Sequence, residues 1–75
     1  MKELLATIAK SLVDNPSMVQ VNEVAEEESI KLELKVAPED MGKVIGKQGR
    51  IAKAIRTVVK AAAIKENKRV VVEII

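Results

Sequence analysis

The stretch Val44-Ile45-Gly46-Lys47-Gln48-Gly49-Arg50-Ile51-Ala52-Lys53-Ala54-Ile55 decides how this chain is read. Two glycines flank a Lys-Gln pair, an apolar dipeptide precedes them, and beyond them Ile51, Ala54, Ile55, Val58 and Ala62 recur at helical spacing to about Ile64. That pattern predicts a helix starting after the second glycine, with those residues on its packed face. A tight turn between two helices meeting at an angle needs positions without a Cβ, and glycine also lets a phosphate approach the main chain closely. The first amides of the following helix have no internal acceptor and lie at the positive end of its dipole, so an anion is stabilised there. Lys47, Arg50 and Lys53 fall within a helical turn or so of that point. Together they read as a phosphate cradle.

Working toward the N-terminus, Pro38-Glu39-Asp40 marks the start of a short helix running to about Ile45, with proline early and acids facing the positive end of the dipole. Before it, Ile30, Leu32, Leu34 and Val36 alternate with Lys31, Glu33 and Lys35, a period of two that buries one face of a strand and wets the other. A weaker strand opens at Val19-Gln20-Val21 and runs into Asn22-Glu23-Val24-Ala25. The acidic turn Glu26-Glu27-Glu28-Ser29 joins the two strands as an antiparallel hairpin. Leu4, Leu5, Ile8 and Leu12 place a first helix over residues 2–14, and Asp14-Asn15-Pro16 ends it, because proline cannot continue a helix and biases Asn15 toward extended geometry. Toward the C-terminus, Lys65-Glu66-Asn67-Lys68 is a polar connector and residues 69–75 form a β-branched last strand.

The order is α-β-β-α-α-β in one domain over residues 1–75, without repeat or linker. A helical crossover between the last two strands favours parallel pairing, so the expected architecture is α+β, a mixed three-stranded sheet packed against three helices.

The loop and its flanks resemble the KH family, whose signature opens V-I-G-x-x-G, matched by Val44, Ile45, Gly46 and Gly49, and continues with apolar positions that those after Arg50 fit. The element order resembles the type II arrangement of bacterial KH proteins, and residues 36–72 look like the small stand-alone members of that group. The resemblance implies that about four nucleotides of single-stranded RNA lie in a groove, the backbone clamped by the loop and the bases on an apolar floor. Carried over by position, Gly46, Lys47, Gln48 and Gly49 are the clamp, Ile45 and Ile51 lie near the groove floor, and Arg50 and Lys53 add charge. It also implies a homodimer, or a heterodimer with a larger KH-containing protein.

Composition narrows the field from the other side. The 75 residues contain no His and no Cys, which removes disulfides, thiol and imidazole catalysis and the usual zinc ligands, so neither a metal nor another cofactor is expected. There is no Phe, Tyr or Trp, so the core must be aliphatic, and the aromatic platforms on which RRM and OB folds stack bases are missing. No segment approaches the ~20 apolar residues of a membrane span, and a soluble, cytoplasmic protein is expected. The net charge of +2 hides an uneven division: residues 1–42 are acidic overall, whereas from Lys43 to Arg69 every charged residue except Glu66 is basic.

The basic stripe Lys43, Lys47, Arg50, Lys53, Lys60 could be only the solvated face of an amphipathic helix, but its coincidence with the glycine loop favours RNA. A nucleotide-binding P-loop is excluded, since the glycine spacing is a residue short and Gln48 stands where a hydroxyl must hold magnesium. A DNA-binding helix-turn-helix is disfavoured by the shortage of bidentate readers on the third helix. With no carboxylate pair or nucleophile beside the loop, an enzyme is not expected. The remaining rival is a protein-interaction adaptor whose basic helix meets an acidic partner. Glu26-Glu27-Glu28 reads as a solvated turn that could also keep nucleic acid from one rim of the groove, and residues 70–72 as an apolar strand on the sheet edge.

Overall fold

The computed structural model describes residues 1–75, and the elements follow in the predicted order: α1 (Lys2–Leu12), β1 (Gln20–Ala25), β2 (Ile30–Lys35), α2 (Met41–Ile45), α3 (Arg50–Lys65) and β3 (Val70–Ile74), with short 3-10 turns at Pro16–Met18, Pro38–Asp40 and Lys47–Gly49. The segment with the clearest alternation, β2, takes the centre of the sheet. It pairs antiparallel with β1, Gln20 opposite Lys35 and Ala25 opposite Ile30, and parallel with β3, Ile30 opposite Val70 and Leu34 opposite Ile74. The result is the α+β fold expected, a mixed three-stranded sheet with all three helices on one face.

Leu32 and Leu34 point from β2 into the layer between sheet and helices and are wholly buried, as are Leu5 and Ala9 of α1, Val44 of α2 and Val59 of α3. Val21, Val70 and Val72 close the strand side of the same cluster. The opposite face of the sheet is wet. There Lys31 lies 3.4 Å from Glu73 on β3 and 3.9 Å from Glu33, and the Glu73 charge beside it holds its ammonium above the ordinary value. No helix is long and apolar enough to cross a membrane.

Helix α3 packs on a different stripe from the one its sequence suggests. The expected face was Ile51, Ala54, Ile55, Val58 and Ala62; the residues buried against the sheet are Ala52, Ile55, Val59 and Ala63, while Ala54 is exposed and Val58 is 49% exposed. An Ala- and Val-rich helix has an apolar arc wider than one contact face. Ala63 joins Ile55 and Val59 in the core cluster with the strand residues, and the branched residues of the neighbouring stripe turn toward α1. At its far end α3 closes in a Schellman turn: Asn67 takes a left-handed φ of 61°, its N–H donates to the Ile64 carbonyl, and the Lys68 N–H donates to that of Ala63. This reversal delivers Arg69 and β3 back alongside the helix.

Candidate nucleic-acid interface

The loop between α2 and α3 is built from left-handed backbone. The Gly46 N–H donates to the Gly42 carbonyl at 2.8 Å and ends α2, and Gly46 then adopts φ 76°, ψ 176°, a region essentially closed to other residues. A Cβ placed there would stand 2.5 Å from Cγ1 of Ile51, so the first glycine is required twice over, by conformation and by space. Gly49, at φ 73°, has nothing within 4 Å of its missing Cβ and is required by conformation alone. Between them Gln48 is also left-handed, with φ 59° and ψ 26°, a conformation that costs an ordinary residue about 1–2 kcal/mol. These turns push the Lys47 and Gln48 side chains out into solvent. The Gly49 and Arg50 amides donate to the Gly46 and Lys47 carbonyls within the loop.

From this loop two unlike surfaces run along the flanks of α3. Lys53, Arg56 and Lys60 share one side, spaced by three and four residues. Beside them lies the open edge of β3, and Arg56, Lys60, Arg69, Val70, Val71 and Val72 line a groove of about 620 Å³. Arg56 crosses it, its Nε donating to the Val72 carbonyl at 3.3 Å. On the other flank Ile51, Ala54, Ile55 and Val58 face Ile8 and Leu12 of α1 across a wholly apolar cleft of about 320 Å³.

The predicted site residues therefore divide. Gly46, Lys47, Gln48 and Gly49 form the loop, Arg50 follows with its Nη2 3.4 Å from the Gln48 side-chain oxygen, and Lys53 opens the basic flank. Ile45, at the end of α2, is 38% exposed. Ile51 backs onto Gly46 and turns to the apolar cleft, away from Lys53. Two cations of the groove, Arg56 and Arg69, were not in the predicted set. The i, i+3, i+7 spacing of residues 53, 56 and 60 could have drawn in Arg56; Arg69 arrives only through the Schellman turn and the crossover.

Lys43 leaves the basic stripe altogether. Its ammonium is hydrogen-bonded to the Asp14 carboxylate and lies 3.8 Å from that of Asp40, and the Asp14 bond holds it above its ordinary pKa. Asp40, only 1% exposed, does not face the α2 amides as expected; it accepts hydrogen bonds from the Asp14 and Asn15 N–H groups, at 3.3 and 3.0 Å, just beyond the end of α1. The knot ties the exit of α1 to the entry of α2 and so sets where the loop is held.

A sequence profile of the family described as KhpA/KhpB, KH domain, matches residues 2–74. The chain belongs to this family. Among curated proteins it is 84% identical to the RNA-binding protein KhpA of Clostridium acetobutylicum and 84% identical to that of Clostridium perfringens, each match covering 75 residues and the full length of both chains. The RNA-binding protein KhpA of Caldanaerobacter subterraneus is 75% identical over the same span. In this KhpA/KhpB-type KH domain the glycine loop, the cationic side of α3 and the edge of β3 form one continuous surface, and the apolar cleft lies on the other side of the same helix.

Proposed function

We propose that this KhpA/KhpB-family chain binds single-stranded RNA without catalysing a reaction. The loop Gly46-Lys47-Gln48-Gly49 clamps the phosphate backbone, and Arg50, Lys53, Arg56 and Lys60 carry the strand along α3. The observation that carries this reading is the alignment of a left-handed glycine loop, at the start of a long helix, on a row of cations that follows the edge strand. Phosphate supplies what the cations lack, and splayed bases supply partners for the edge. The names of the relatives support the same ligand. The side chains of the loop, Lys and Gln with Arg next to it, offer no acid–base pair for a chemical step.

The test is a titration of labelled single-stranded and duplex RNA of equal length. Single strands should bind more tightly, because a paired helix cannot present its bases to a narrow groove. Equal or stronger binding of the duplex would refute the groove mechanism.

The apolar cleft favours a second role beside this one. Val58 stands half exposed next to Ile51 and Ile8, and a contiguous apolar patch on so small a chain marks a contact surface. In this reading a second copy, or a larger KH-containing protein, covers it while the basic flank stays open to RNA. Sedimentation of the purified chain over a concentration series tests the self-association arm.

A further inference from the structure

We infer that Arg56 is a specificity residue: by occupying the Val72 carbonyl it makes the groove select a base with two adjacent acceptors, guanine above all, and reject adenine at that position. The inference rests on the RNA-binding reading of the same groove.

The argument starts from the parity of β3. In a parallel pair the strand's main-chain groups point alternately toward and away from its neighbour. The Ile30 N–H donates to the Arg69 carbonyl and the Ile75 N–H to the Leu34 carbonyl, so residues 69, 71, 73 and 75 turn their N–H and C=O groups toward β2. Val70, Val72 and Ile74 turn theirs to the open edge. An outward residue offers a donor and an acceptor side by side, which matches the exocyclic amine and adjacent ring nitrogen of adenine. An unmodified edge would thus welcome adenine.

At Val72 that pairing is altered. The Arg56 Nε–H already takes up one of the carbonyl's two lone pairs, and the positive guanidinium beside it disfavours the approach of a further donor such as an amine. A partly buried site makes this exclusion stronger, because an amine left without an acceptor loses its hydration and gains nothing in return. What the position now presents is mostly donors: the Val72 N–H and the Nη groups of Arg56. Guanine answers with O6 and N7 on one edge, the pair to which an arginine fork binds bidentately. Lys60 and Arg69, further along the groove, supply charge without this fixed geometry.

The experiment equilibrates the full chain with random single-stranded RNA octamers and sequences the bound fraction, for wild type, Arg56→Met and Arg56→Lys, with circular dichroism to confirm the fold. Arg56 is exposed and lies within a helix, so both variants should fold. Wild type should show one position at which guanine exceeds adenine about tenfold, within the range for one bidentate contact. In Arg56→Met the ratio at that position should fall to about one or invert. Arg56→Lys should lose the same preference even though the charge is kept, since the fork is gone. An unchanged guanine-to-adenine ratio in the variants, or a wild type that enriches adenine throughout, overturns the role of Arg56 and leaves RNA binding standing. A wild type that retains no octamer overturns the RNA reading itself and this inference with it.

Discussion

The two flanks of α3 share a backbone and a loop yet are opposite in chemistry. On the β3 side Lys53, Arg56 and Lys60 stand over a strand edge whose main-chain groups, the Val72 carbonyl apart, are open; on the α1 side Ile51, Ala54 and Val58 stand over Ile8 and Leu12 with no polar side chain among them to orient a ligand. One flank is suited to an extended polyanion and the other to an apolar protein surface. Their separation around one helix lets both be occupied at once. Sixteen residues of helix thus present two chemically separate surfaces.

The loop is where the flanks meet, so the largest effect should come from breaking both together. Gly46→Ala forces a Cβ into Ile51 and puts alanine in a glycine-only conformation, and we expect a loss of about 2–5 kcal/mol, most of the margin of a small domain. Gly49→Ala, with open space around it, should cost only about 1–2 kcal/mol. Urea unfolding measures both; equal losses would show that the contact with Ile51 is immaterial.

Next in size, Lys47→Asp combined with Gln48→Asp should strike the basic flank alone. Each of three added negative units repels a phosphate ~6 Å away by about 0.7 kcal/mol in water before screening, so RNA binding should weaken at least about tenfold. Self-association should be untouched. A folded double variant with full RNA affinity would remove the loop from the clamp.

Val58→Asp is the mirror experiment. A charge set into the apolar cleft should weaken self-association about tenfold or more, with RNA affinity per chain held. Should RNA binding collapse in parallel, the two flanks are not independent.

The smallest effect separates lysines that look alike in the sequence. Lys60→Gln should reduce the slope of log K against log salt by about 0.7, the share of one phosphate contact on a single strand, and Lys43→Gln should leave it unchanged. Equal slopes for the two variants would return Lys43 to the RNA surface. Lys43→Gln should instead lower the melting temperature, since it strips the cation from the carboxylates of Asp14 and Asp40.

Most of the fold is legible in local pattern. The period of two from Ile30 to Val36 gives the central strand, Pro16 ends the first helix, and the paired glycines place the loop, because each depends on residues adjacent in the chain. Boundaries shift by up to three residues where the chain passes through 3-10 turns, as at Pro38–Asp40, a separate turn that leads directly into α2 at Met41. What escapes is whatever depends on distant residues. Lys43 looks like its basic neighbours until Asp14, 29 positions away, is brought beside it. The buried stripe of α3 could not be chosen from two adjacent apolar stripes without knowing where α1 lies. Arg56 met Val72 only once the crossover had closed. The structure brings the expected loop residues together, and of the cations lining the groove beyond them only Lys60 belongs to the stripe legible in the sequence.

The left-handed run through Gly46, Gln48 and Gly49 also has a kinetic meaning. A loop already held in its uncommon conformation has little ordering left to undergo when a strand arrives, so less of the interaction energy is consumed in fixing it. Encounter then depends on diffusion under the pull of the nearby cations, and its rate should drop steeply with ionic strength. Release depends on short-range contacts and should respond to salt far less. Under the proposed RNA-binding reading, a clamp set in advance suits a protein that samples many strands briefly, with residence time on each set by how well its bases fit the edge of β3.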